Sequence, residues 1–155
     1  MSATSPEARL AELGISLPDV AAPVASYVPA VRSGRYVYTA GQLPFVDGAL
    51  PQTGKVGAGV SPEEAADLAR TCALNGLAAV RSLTGTLDGA RIVKVTGFVA
   101  SDPSFTGQPG VINGASNVLG EIFGDAGIHA RSAVGVAVLP LDSPVEVELV
   151  VELPE

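Results

Sequence analysis

From residue 61 to residue 83, apolar side chains return every three to four positions. Ala65, Leu68, Ala69, Cys72, Leu77 and Val80 fall on one stripe, which predicts an amphipathic helix over Pro62–Leu83. Ser61-Pro62-Glu63-Glu64 supplies its start, with a serine cap, a glutamate three residues on, and proline at the first helical position. A shorter helix is predicted after Ser5, with Pro6 at its first position and Gly14 at its end. A third segment, Val111 to Phe123, follows a Pro/Gly-rich loop and also reads as helix.

The remaining apolar positions alternate, as half-buried strands do. Ser26–Arg32 and Arg35–Gly41 flank a Ser33-Gly34 turn, and Tyr36, Val37, Tyr38 and Thr39 favour extension. Asp47-Gly48 predicts a hairpin turn between Leu43–Val46 and Ala49-Leu50. In Ile92–Val99, Val93, Val95 and Gly97 alternate with Lys94, Thr96 and Phe98. Along Arg131–Leu139, Val134, Val136 and Val138 are expected to pack on the helices. Arg131, Ala133, Gly135 and Ala137 fall on the other face, which is small and apolar rather than solvent-like. That face predicts a buried contact with other copies of the chain, with a close contact inside one chain as the plainer alternative. A tight turn at Leu139–Pro144 then leads to Val145-Glu146-Val147-Glu148-Leu149, so the two strands read as a hairpin. The order of strands, helix, strand, helix, strands predicts an α+β domain, with two helices on one face of a mixed sheet. Residues 1–25 form an N-terminal extension with its short helix, and residues 26–155 form the domain proper.

Composition narrows the function. The chain has 155 residues, of which 47% are hydrophobic, which suffices for one packed domain. Net charge is −7, with nine Lys and Arg scattered along the chain, which disfavours nucleic acid as the main partner. No apolar run approaches the ~20 residues needed to cross a bilayer, so no membrane partner is expected. The first residues lack a basic region and an apolar run, so cytoplasm is the expected location. A single Cys and a single His argue against a disulfide within the chain and against a zinc site. Cys72 reads as a small core residue.

The chemistry sits near the end of the chain. An arginine at a strand head holds a carboxylate by two parallel hydrogen bonds, and a glutamate close by deprotonates a water. If the last strands pair, Arg131 and Glu146 border one pocket. That combination points to hydrolysis of a small carboxylate-bearing metabolite. His129 stands two residues before the arginine, and histidine is the side chain type that can change charge near neutrality, but the sequence assigns it no partner.

Several motifs between about Tyr27 and Glu152 resemble the RidA/YjgF family of imine/enamine deaminases. They are Ser26-Tyr27, Tyr38-Thr39-Ala40-Gly41-Gln42-Leu43-Pro44, Thr53-Gly54-Lys55-Val56, Asn75, Val93-Lys94-Val95 with Phe98-Val99, and Asn113. The block Ala130-Arg131-Ser132, Leu139-Pro140, Val145-Glu146-Val147-Glu148 carries most of the specificity. The resemblance implies a chorismate-mutase-like fold, a homotrimer, and pockets at subunit interfaces. It implies hydrolysis of 2-imino acids to 2-oxo acids and ammonia, with no metal or organic cofactor. Arg131 then matches the carboxylate anchor, Glu146 the water-activating glutamate, and Tyr27 and Asn113 pocket residues. Ala40, Gly41 and Gln42 match the turn beside the pocket.

The chain also departs from that pattern. Ala40 stands where members often carry Ser, Ser116 where they carry Tyr, and Ala133 where they carry Cys. These changes leave open a non-catalytic module that binds small carboxylates. A ribonuclease is disfavoured by the acidic charge and by the lack of a second histidine.

Overall fold

The computed structural model describes residues 3–20 and 25–155. In chain order the elements are α1 (Pro6–Leu13), β1 (Ala30–Ser33), β2 (Tyr36–Thr39) and α2 (Pro62–Thr84). Then follow β3 (Arg91–Ala100), α3 (Gln108–Phe123), β4 (Ala130–Val136) and β5 (Val145–Glu152). The strands form one mixed sheet in the order β1-β2-β5-β3-β4. This is the α+β arrangement the sequence predicts, with α2 and α3 packed together and against the sheet.

Local chemistry sets the helix ends. The Ser61 hydroxyl accepts from the Glu64 amide at 3.1 Å, and the Glu64 carboxylate accepts from the Ser61 amide at 2.9 Å. Those backbone and side-chain bonds, with one from Gln52, hold the Glu64 carboxyl below its usual range. Gly85, in the left-handed region at φ 77°, ends α2. Helix α3 begins three residues earlier than predicted, at Gln108, because Pro109 fits the first turn of a helix. Ser5 and Gly14 cap α1 as expected. Helix α1 is tied down: Glu7 accepts from the Leu87 amide and from Arg81, both at 3.0 Å, and Leu10 is buried in the core.

The sheet departs from the sequence reading in its pairing. Strands β4 and β5 are not a hairpin. β4 pairs parallel to β3, while β5 runs antiparallel to both β2 and β3 and lies between them. Two crossovers, β2–α2–β3 and β3–α3–β4, put both long helices on one face and leave a gap between β2 and β3. A central strand must bury one whole face, and Val145, Val147, Leu149 and Val151 do so. The small, more exposed residues of β4 suit an edge. Segment 137–144 therefore passes across the end of β3. It is held by the amide of Gly54 donating to the Asp142 carbonyl at 3.0 Å and by the Lys55–Asp142 ion pair.

Three smaller readings also change. β1 starts at Ala30 rather than Ser26. The Asp47-Gly48 hairpin is reduced to one bridge, Val46 with Ala49. Alternation in β3 breaks at Val93, where a bulge puts both Ile92 and Val95 on the core side.

The helices approach each other closely at Gly114. A Cβ there would lie 1.9 Å from the Ala66 carbonyl oxygen, which belongs to the α2 backbone. Gly114→Ala gains about 1 kcal/mol of helix propensity, yet the clash must separate two helices. The expected net result is a loss of about 1–3 kcal/mol in denaturant unfolding. An unchanged or raised midpoint would show that the helices are not in contact there.

Candidate functional site

The faces of β4 are the reverse of the sequence expectation. Arg131 pairs with Val95 and Ala133 with Gly97, both on the core side. The side chains of Arg131 and Ala133 therefore point toward α3. The valines look away, with Val134 45% and Val138 69% exposed. Size misleads here: the small residues mark where α3 runs close, with Ile112 pressed onto Gly97. Ala133 thus makes the plainer contact within the chain, packed against the core, whereas Gly135 and Ala137 stay exposed.

Arg131 is held by three acceptors on α3. Its Nη1 donates to Asn113 Oδ1 at 2.8 Å and to Ser116 Oγ at 3.3 Å, and its Nη2 donates to the Pro109 carbonyl at 3.3 Å. Ser116 Oγ lies 2.9 Å from His129 Nε2, and His129 Nδ1 lies 2.6 Å from the Gly127 carbonyl. Arg131 and Asn113 come together as expected. Ser116 and His129 join them, which residue-by-residue reading missed. The hints were His129, two residues before the arginine, and Ser116, at a position where the resembled family often carries Tyr.

Glu146 lies on the other face of the sheet. It pairs with Phe98, as does Val134, whereas its neighbours Val145 and Val147 are in the core. The carboxylate sits over Gly41: a Cβ at residue 41 would fall 1.7 Å from Glu146 Oε1. Burial, and next the like charge of Glu148, push the Glu146 carboxyl above its usual range. Residues 40–42 are fixed by their backbone. The Ala40 amide donates to the Pro29 carbonyl, and Gln42 and Val147 exchange two bonds, at 2.8 and 3.0 Å. Asn75, buried on α2, donates to the carbonyls of Leu43 and Phe45 and anchors the segment that follows.

Arg131 and Glu146 therefore do not border one pocket within a single chain. Tyr27 is further away still. It precedes β1, at the sheet edge opposite β4, about 19 Å across four interstrand spacings. The chain carries two half-sites, one of Arg131, Asn113 and Ser116, the other of Glu146, Gly41 and Ala40. Around the second, the open sheet face carries apolar groups in rows. Val31, Tyr38 and Val150 align across β1, β2 and β5, and Val31 and Tyr38 are 52% and 48% exposed.

Cys72 is fully buried, and burial pushes its thiol well up, so it is a core residue. Among the described residues, no group of three or more His, Cys, Asp or Glu side chains is placed to hold a metal. Among the described residues, no helix is long and apolar enough to cross a membrane.

Comparison with known proteins adds a lineage to this geometry. Residues 7–153 match the YjgF/chorismate mutase-like family, whose description also carries an endoribonuclease label. Protein TCP17 of Trypanosoma cruzi is 46% identical over 148 residues, spanning 94% of this chain and 92% of that protein. An endoribonuclease-labelled protein of Shewanella oneidensis MR-1 superposes with a TM-score of 0.93 at 35% identity, covering 97% of this chain and all of its own. Escherichia coli TdcF, crystallised with bound serine, gives a TM-score of 0.65 at 26% identity, covering 88% of this chain and 94% of that one.

Proposed function

This chain belongs to the YjgF/chorismate mutase-like family, and within that family we propose that it hydrolyses small 2-imino acids to 2-oxo acids and ammonia. The observation that carries the reading is the pair of half-sites. One presents a guanidinium with unused N–H groups; the other presents a half-buried carboxylate with a raised proton affinity. The first suits a substrate carboxylate, and the second suits a water to be deprotonated. Serine bound to TdcF supports a small amino-acid-like ligand.

The half-sites meet only if chains assemble, because they lie on opposite faces of one sheet. We place the active unit as a homotrimer in which Arg131 and Asn113 of one chain face Glu146, Gly41, Ala40 and Tyr27 of another. The exposed Val31, Tyr38 and Val134 favour such a covered sheet face. An endoribonuclease is the weaker reading, given a net charge of −7 and one histidine. A module that only binds small carboxylates is favoured by Ala40 and Ala133, which lack the hydroxyl and thiol often found there in the family, and by Ser116, which replaces a phenol.

The test is decay of 2-iminopropionate and 2-iminobutyrate, generated in situ, with and without the protein. Acceleration is expected. Arg131→Lys and Glu146→Gln proteins should each be slow, and co-assembly of the two should restore part of the rate. Carboxylate binding without turnover would select the binding module. No recovery in mixed assemblies would overturn the pairing of the two half-sites between chains.

A further inference from the structure

The hydrogen-bond chain behind Arg131 has a direction. The Gly127 carbonyl can only accept, so His129 Nδ1 carries the hydrogen that meets it at 2.6 Å. In the neutral ring Nε2 is then an acceptor, and the Ser116 hydroxyl at 2.9 Å must donate to it. The lone pairs of Ser116 Oγ turn toward Arg131 Nη1 at 3.3 Å, and the same Nη1 also reaches Asn113. Three bonds fix the guanidinium against α3. They leave the Nε–H and one Nη2–H without an acceptor among the described residues. Two such donors suit one carboxylate.

We infer that His129 is a positioning residue: through Ser116 it sets the direction of the Arg131 guanidinium and couples carboxylate binding to its own protonation. This rests on Arg131 being the anchor proposed above. When His129 gains a proton, Nε2 becomes a donor. Ser116 Oγ then faces two cations, and its own hydrogen loses its acceptor, so the hold on Nη1 slackens. The charged groups on the surrounding elements are Arg91 and Lys94 on β3, Glu152 on β5, Glu121 on α3, Asp125 in the 124–127 turn and Arg131 itself. Arg91 and Glu152 line a cleft of about 470 Å³ together with His129, so the ring opens to solvent on one side.

The experiment measures 2-oxobutyrate affinity by calorimetry between about pH 5.5 and 8.5, the range over which an imidazole titrates. At the alkaline end, Ser116→Ala and His129→Ala should each bind about tenfold more weakly, the scale of one hydrogen bond to a charged group. The double variant should be no weaker than either single one, because both break the same chain. His129→Gln keeps an acceptor near the Nε2 position and should stay close to the unmodified protein, without its acid-side loss of affinity. Additive losses, or an acid-side loss that persists in Ser116→Ala, would overturn the inference. A second readout needs no ligand. The chain has one histidine, so ¹⁵N NMR follows its ring without ambiguity. The Arg131 Nε resonance should shift as His129 titrates in the unmodified protein and stay fixed in Ser116→Ala. An Arg131 signal indifferent to the histidine overturns the coupling whatever the ligand does. If the coupling is seen but Arg131→Lys binds 2-oxobutyrate normally, the functional reading fails and the positioning role stands.

Discussion

Glu146→Gln is expected to slow imine hydrolysis by about 10²-fold or more, the usual scale for loss of a general base, with little change in carboxylate affinity. The amide keeps the size and much of the hydrogen bonding of the carboxylate, so the packing over Gly41 survives. The raised proton affinity of Glu146 gives a second signature. Its base form is lost as pH falls through a value above that of an ordinary glutamate. The catalysed rate should therefore fail earlier on the acid side than a free carboxylate would predict, and the glutamine variant should lack that limb. Stability follows the same linkage. The native state holds this proton more readily than the unfolded chain, so the stabilisation present at low pH is lost as pH rises through the folded value. Once ionised, Glu146 destabilises the native state, so Glu146→Gln should unfold no earlier than the unmodified protein. Normal turnover with a lowered melting temperature would return Glu146 to a structural role.

Arg131→Lys should weaken 2-oxobutyrate binding by about 10- to 100-fold, the equivalent of one to two charge-assisted hydrogen bonds. Lysine keeps the charge but loses the planar fork that can serve α3 and a ligand at once. Asn113, Ser116 and the Pro109 carbonyl lose most of their donors, so a small drop in melting temperature should accompany the change. Unchanged affinity by calorimetry would mean that the carboxylate is held elsewhere.

What the sequence made legible was local. The Ser61–Glu64 cap and the stripe from Ala65 to Val80 are written within a few residues, and α2 follows them. Arg131, Glu146, Asn113 and Gly41 were recognisable by type and spacing. Register was not legible, because it depends on which strand lies next to which. Leu139-Pro140 looks like a turn between neighbours, yet β3 lies between the strands it joins. The valines of β4 looked like core because they are large, whereas Ala133 packs toward the core because it is small. The bulge at Val93 puts only the start of β3 out of phase, because alternation assumes an unbroken ladder, while Val95 and Gly97 share the core face as read. His129 and Ser116 are thirteen residues apart and meet only through the packing of α3 on β4.

The placement of Arg131 and Glu146 on opposite faces bears on inheritance as well as on chemistry. In the proposed trimer, every chain lends its arginine to one pocket and its glutamate to another. A cell that makes both intact and Arg131-defective chains loses one pocket for each defective chain built in. A chain defective at both positions spoils two pockets when it sits between intact ones. The double lesion would therefore be the more dominant allele at equal expression, although neither kind of chain need be any less stable.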